Sequence, residues 1–305
     1  MNQPSKKILG VSVGLIGTIL YAQPPYQDFS KNPRVYTTRY SFWFEGNFSG
    51  SILRNDSNEQ ILQYQIDYQY RRMADASYIK DGEYLNIMKD PFQNIIRPWI
   101  HYWVISKKVC VSLSPLGYWS TWSPTAEGPH VYTPEFRVCP QITLFQKMGK
   151  LDMQQRYRYE FRWIGDPVEA QSFIKDFFVS ANYSSRSYRG RMRHMFRLNY
   201  NFSKKTYLSI WNEVFIGIGK NVANDKIFDQ NRIVILLGNK YFQASYPMKV
   251  EVGLTWQILP KYNLKVPPTQ PESYGSYQKN NVENNFALQI YLIFNEFHKV
   301  FRKKE

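Results

Sequence analysis

The chain has 305 residues, 43% of them hydrophobic and 17% aromatic, and carries a formal net charge of +15. So much apolar material excludes a disordered polymer, while a negative mean hydropathy means that apolar and polar groups are interleaved, which excludes a bundle of membrane-spanning helices. Two cysteines, Cys110 and Cys139, are too few for a disulfide-stapled scaffold.

The first element in chain order is an unbroken apolar run, Ile8 to Tyr21, preceded by Lys6-Lys7 and followed by Ala22-Gln23-Pro24-Pro25. A basic flank, a short apolar stretch and a small residue before a polar break have the form of a cleaved secretory signal, since a spanning helix needs roughly 20 residues. Residues 1–22 are therefore read as the signal peptide, with an uncleaved anchor as the alternative. Removing Lys6 and Lys7 takes the charge from +15 to +13. The remaining Lys and Arg are spread through alternating segments, and an exported chain meets little nucleic acid. Anionic lipid headgroups or a small anionic solute are the expected partners.

Beyond residue 36 one pattern recurs. Tyr40, Phe42, Phe44 and Phe48 alternate with Ser41, Trp43, Glu45 and Asn47, and Leu62, Tyr64, Ile66, Tyr68 and Tyr70 alternate with Gln63, Gln65, Asp67, Gln69 and Arg71. The stretch from Arg156 to Trp163 places Tyr157, Tyr159, Phe161 and Trp163 on one face of a strand and Arg156, Arg158, Glu160 and Arg162 on the other, because successive strand side chains point to opposite sides. Eleven such segments are read: residues 37–52, 60–73, 95–106, 109–119, 132–146, 151–164, 188–202, 206–218, 231–242, 248–258 and 283–297. At about 10–15 residues each they exceed ordinary soluble strands and suit a tilted bilayer crossing. The expected fold is all-β, an antiparallel transmembrane β-barrel over residues 37–297, with aromatics toward lipid and charges toward the lumen. A basic tail, residues 298–305, follows it.

Connections alternate short and long, which puts the short ones at one end of the barrel. Single-chain bacterial barrels have even strand counts. Eleven visible segments thus call for a twelfth strand within the N-terminal segment 23–36, from Tyr26 to Tyr36, with Pro33 marking it as an edge strand. The expectation is twelve strands, with ten as the alternative. A hairpin centred on Ser123-Pro124-Thr125-Ala126 would set Cys110 opposite Cys139, either as a cross-strand disulfide or as two buried thiols.

Four motifs carry a family resemblance: Pro134-Glu135-Phe136-Arg137, the run Arg156 to Arg162, Trp211-Asn212-Glu213, and Phe228-Asp229-Gln230-Asn231-Arg232. In order and spacing they resemble the outer-membrane β-barrel family of Gram-negative bacteria described as domain of unknown function 2490. The resemblance implies a signal peptide, an outer-membrane barrel and no known activity, and supplies no catalytic residues to carry over; outer-membrane lipid and the barrel assembly machinery are expected partners. The chain departs from many outer-membrane barrels in continuing past Phe297 to a tail ending Arg302-Lys303-Lys304-Glu305.

The candidate site is a lumen ladder of Glu135, Arg137, Arg156, Arg158, Glu160, Arg162, Glu213 and Arg232, in which guanidinium forks meet carboxylates across strands. Such a ladder holds a wall together, and an arginine excess in any open path favours anions. The expected function is a narrow channel or a structural barrel. Alternatives are a barrel-embedded lipid-modifying enzyme or a soluble exported β protein. The enzyme reading points to His194, which shares its face with Met192, Phe196 and Leu198 and has no serine beside it on that strand. The four histidines are far apart in sequence, so no metal site or cofactor is called for.

Overall fold

A computed structural model describes residues 35–75, 86–123, 131–166, 168–169, 188–222, 227–240, 248–262 and 280–298. These hold no α-helix, and no helix long and apolar enough to cross a membrane. The strands in chain order are β1 (Val35–Arg54), β2 (Gln60–Asp75), β3 (Asp90–Ile105), β4 (Val109–Ser123), β5 (Val131–Met148), β6 (Leu151–Ile164), β7 (Val168–Glu169), β8 (Tyr188–Asn201), β9 (Thr206–Ile218), β10 (Phe228–Asn239), β11 (Met248–Tyr262) and β12 (Asn280–Phe294). Each of the eleven segments expected from alternation is present, with its ends moved by a few residues. Residues 1–22, expected to form a signal peptide, and the basic tail beyond His298 lie outside the described residues.

Eleven strands form the wall of a closed barrel. Neighbours run in the order β4-β3-β2-β1-β12-β11-β10-β9-β8-β6-β5, and β4 pairs with β5 to complete the ring. The two-residue β7 pairs only with β5, at Val131 and Tyr132, where β5 outruns β6. The wall is mostly antiparallel, as the registers β1–β2 and β9–β10 show.

The count of eleven corrects both the twelve strands and the alternative ten. Most of the expected extra strand falls outside the described residues, and its last two positions, Val35 and Tyr36, begin β1. The ring has no gap for a twelfth strand because β1 lies directly beside β12. Contacts across that seam rise together in both strands: Ser41 Oγ donates to Asn285 Oδ1 at 2.7 Å, Ser49 Oγ to the Phe294 carbonyl at 3.1 Å and Ser51 Oγ to Glu296 at 2.7 Å. Constant offset is the signature of parallel strands. Antiparallel closure would have required an even number, and a parallel seam removes that requirement.

The seam also shows how the outer face packs. Phe48 stacks on Phe294 with centroids 5.2 Å apart and meets Phe297 edge-on at 4.9 Å. Farther round, Leu254, Leu237, Ile235 and Ile210 project outward, Leu254 with 66% of its surface exposed. Inward positions on the same strands are polar and sealed: Glu251, Thr255, Glu213 and Ser209 are all buried. A water-soluble core has the opposite distribution.

The β4–β5 register corrects the cysteine geometry. Cys110 faces Thr143 and Cys139 faces Ser114, a shift of four positions from the expected hairpin. Four residues along a strand amount to roughly 13 Å, well beyond the ~7 Å Cα separation a disulfide tolerates. Both thiols are free and buried.

Candidate functional site: a belt of arginines, carboxylates and aromatic rings

Alternation points one residue in two inward, and the strand registers then decide which inward groups meet. On β5 and β6, Arg137 grips Glu135 with Nε and Nη2, at 2.6 and 2.9 Å, while Arg162 reaches the same carboxylate at 2.5 and 3.2 Å. Arg137 Nη1 also meets Glu160 at 3.3 Å. Glu160, completely buried, takes Arg191 and Arg193 at 2.6 Å each. Arg193 forks onto Glu213 at 3.0 and 2.9 Å. Glu213 further receives Arg156 at 2.7 Å and lies 3.8 Å from Arg232. Arg191 closes a side branch onto Asp229 at 2.7 Å.

The ladder residues read from the sequence thus sit on one inner wall. Seven of the eight do so within a single chain of ion pairs. Arg158 stands apart: its Nε donates to Gln141 at 2.8 Å, and no carboxylate among the described residues lies within ion-pair distance. Sequence reading missed Arg191, Arg193 and Asp229, although Arg193 alternates with Phe196 and Leu198 in the expected sense.

Aromatic rings join the ion pairs into a belt around the lumen. Trp43 carries Arg71 at 4.1 Å and Arg232 at 4.9 Å from its ring centre. Phe215 carries Arg232 at 5.2 Å and Arg193 at 4.3 Å. Trp119 carries Arg137 at 3.9 Å and Arg97 at 5.7 Å, and Arg97 extends the series to β2 by binding Asp67 at 2.5 Å. Guanidinium stacking on a ring face lets one arginine use its plane for an aromatic and its edge for a carboxylate. Trp43 was legible as an aromatic on the polar side of its strand. Its two partners were not, because they come from β2 and β10.

A cavity of about 770 Å³ remains, lined by eleven arginines and seven carboxylates. It extends from Trp103 and Phe145, near the short turns, to Trp122, Asp229 and Glu283 near the opposite rim. A barrel of this strand number lies between those just filled by side chains and those that leave an aqueous channel. The long arginines and tryptophans occupy much of what would otherwise be an open bore.

The other candidates resolve by position. His194 faces outward and stacks on Tyr157 with centroids 4.7 Å apart. Its partners across the wall are Tyr157 and Val214, so no serine is opposite it. The histidine that does meet a serine is His101, whose Nδ1 is 2.7 Å from Ser112 Oγ inside the lumen. Its Nε2 has no hydrogen-bond partner among the described residues, so the orienting carboxylate of a hydrolase triad is absent at this ring. His130 lies outside the described residues. No group of three or more His, Cys, Asp or Glu is placed to hold a metal ion among the described residues.

Residues 40–265 match the model of the family described as protein of unknown function, DUF2490. The match covers well over half of the chain, which belongs to that family. No curated protein matches it.

Proposed function

We propose that this DUF2490 protein is an outer-membrane β-barrel of a Gram-negative bacterium, exported by residues 1–22, with a narrow cation-lined interior that braces the wall and restricts passage. The observation that carries this reading is the inversion of the two faces. Arginines and carboxylates are buried inside, and Leu254, Leu237, Ile235 and Ile100 are exposed outside. Apolar surface encircling the molecule needs an apolar solvent.

Dimensions support the same reading. The outward rings Trp163 and Tyr188 pair near one rim and Tyr200 and Phe202 near the other, an arrangement like the aromatic girdles of membrane barrels. A strand rising ~3.3 Å per residue with a tilt of ~40° covers about 30 Å between Tyr188 and Tyr200, close to the hydrocarbon thickness of a bilayer. Outer-membrane lipid and the barrel assembly machinery are the partners that follow, and a small anion is the solute an arginine excess admits.

Leu254→Arg tests the location. Near mid-strand on the outer face, it should weaken assembly into lipid by about 2–4 kcal/mol, read as loss of the heat-modifiable folded band. A variant that folds as well as wild type and needs no detergent would sink the membrane reading. Planar-bilayer recording of the folded protein should give small anion-preferring steps or silence; currents of general-porin size would contradict the restricted bore.

A further inference from the structure

Among the lumen arginines Arg158 is the exception, and its surroundings give the exception a direction. Only 4% of it is exposed. Its plane lies 4.6 Å from the Trp99 ring centre, and its Nε is held by Gln141. Those two contacts fix the guanidinium and leave both terminal amino groups without a hydrogen-bond partner among the described residues, opening onto the cavity. Arg71, also without an ion pair among the described residues, differs: Gln93 and Gln69 accept its terminal groups at 2.9 and 2.7 Å.

The charges that act most strongly on Arg158 are those of Arg156, Arg97 and Arg193, all positive, and each of these is already ion-paired, Arg97 to Asp67 and both Arg156 and Arg193 to Glu213. A buried cation amid cations is unfavourable until a counter-charge arrives. The two free amino groups are spaced to meet two oxygens of one planar or tetrahedral anion. The cavity volume is within the range of small-molecule sites.

Resting on the reading of the interior as a cation-lined lumen, we infer that Arg158 anchors an oxyanion-binding site that takes a carboxylate or phosphate group end-on between Nη1 and Nη2. Trp99 and Gln141 are positioning residues that hold the fork toward the cavity. The ligand is a small solute bearing either group, and the shared chemistry is the oxyanion.

The test titrates inorganic phosphate and, separately, acetate into the full-length protein folded in detergent, replacing chloride at constant ionic strength and reading tryptophan fluorescence. Saturable binding is expected for at least one anion. Arg158→Gln should weaken it about tenfold or more, the loss of a charge-assisted hydrogen-bonded pair, and Arg158→Lys, with charge but no fork, should fall between. Lys107→Ala, at a solvated turn outside the belt, should bind as wild type. Absence of saturable binding to either anion, or equal binding by wild type and both Arg158 variants, overturns the site. If Arg158→Gln does not give the folded gel shift, Arg158→Lys decides alone: wild-type affinity in that variant refutes the fork. Tighter phosphate assigns a phosphoryl ligand, and tighter acetate a carboxylate one. Because the titration needs no bilayer, phosphate binding by a chain that fails to enter lipid would remove the membrane reading and leave this site standing.

Discussion

Two arcs of the same inner wall solve the problem of a polar interior differently. From β5 to β10 many inward groups are Arg and Glu joined in one ion-paired chain, with Glu160 and Glu213 each serving three arginines. Across the middle of β11 and β12, and on to Ser41 of β1, they are neutral: Gln257 donates to Gln230, Thr255 to Gln289, and Ser41 to Asn285. Ala287 is buried among them. The charged arc is held by ion pairs that share carboxylates, whereas the neutral arc is a relay of single hydrogen bonds joined by a long Asn285–Gln257 contact of 3.5 Å. The neutral arc also contains the parallel seam, where small serines let β1 and β12 approach.

Glu160→Gln puts the contrast under the greatest load, because it leaves Arg137, Arg191 and Arg193 short of a carboxylate in a sealed position. Breaking a buried charge network by removing one partner costs about 3–5 kcal/mol, so the urea midpoint in detergent should fall by the largest margin of any conservative lumen change. A midpoint no lower than that of the amide variant below would mean that water enters and screens the belt.

Next comes Gly253→Ala, which probes volume in the neutral arc. A Cβ there would press into the Ile235 carbonyl oxygen and lie 2.8 Å from the Leu236 Cα. Backbone on a neighbouring strand has little room to yield, and a loss of about 1–3 kcal/mol is expected in the same denaturation. Asn285→Ala removes the acceptor of the Ser41 hydrogen bond and should cost about 1 kcal/mol. A far larger loss would show that the parallel seam depends on this amide.

The smallest effect is where the β3–β4 turn meets the β1–β2 turn. Lys107 donates to Glu59 at 2.8 Å and holds the Glu59 carboxyl below its usual range. A lowered folded-state value means that the contact stabilises above the ordinary glutamate pKa of ~4.3 and is lost as pH falls through the lowered value. Both groups are solvated, so Lys107→Ala should leave the neutral-pH midpoint unchanged. Comparing the variant with wild type from pH 5 to 3 should show only a slightly shallower acid loss in the variant; an unfolded variant at pH 7 would assign the turn a far greater role.

Much of this architecture is legible in the amino-acid order. Alternation at Tyr157, Tyr159 and Phe161 against Arg158, Glu160 and Arg162 tells which side of β6 is inner, because strand side chains obey a local period of two. It does not tell that Arg193 of β8 meets both Glu160 and Glu213, or that Trp43 receives Arg232 from β10. Those meetings depend on register and closure. The cysteines make the same point: each is placed on its strand by alternation, yet a shift of four positions between β4 and β5 moves them out of reach.

The eleven alternating segments, the polar side of each and part of the charged ladder follow from the chain's own order, since all three are fixed by neighbours a few residues apart. Folding in three dimensions was needed to settle that eleven strands close through a parallel seam, which arginine pairs with which carboxylate, and that Arg158 is left facing the cavity without one. These outcomes depend on hydrogen-bond registers between strands distant in the chain, and no local period encodes the register between β1 and β12.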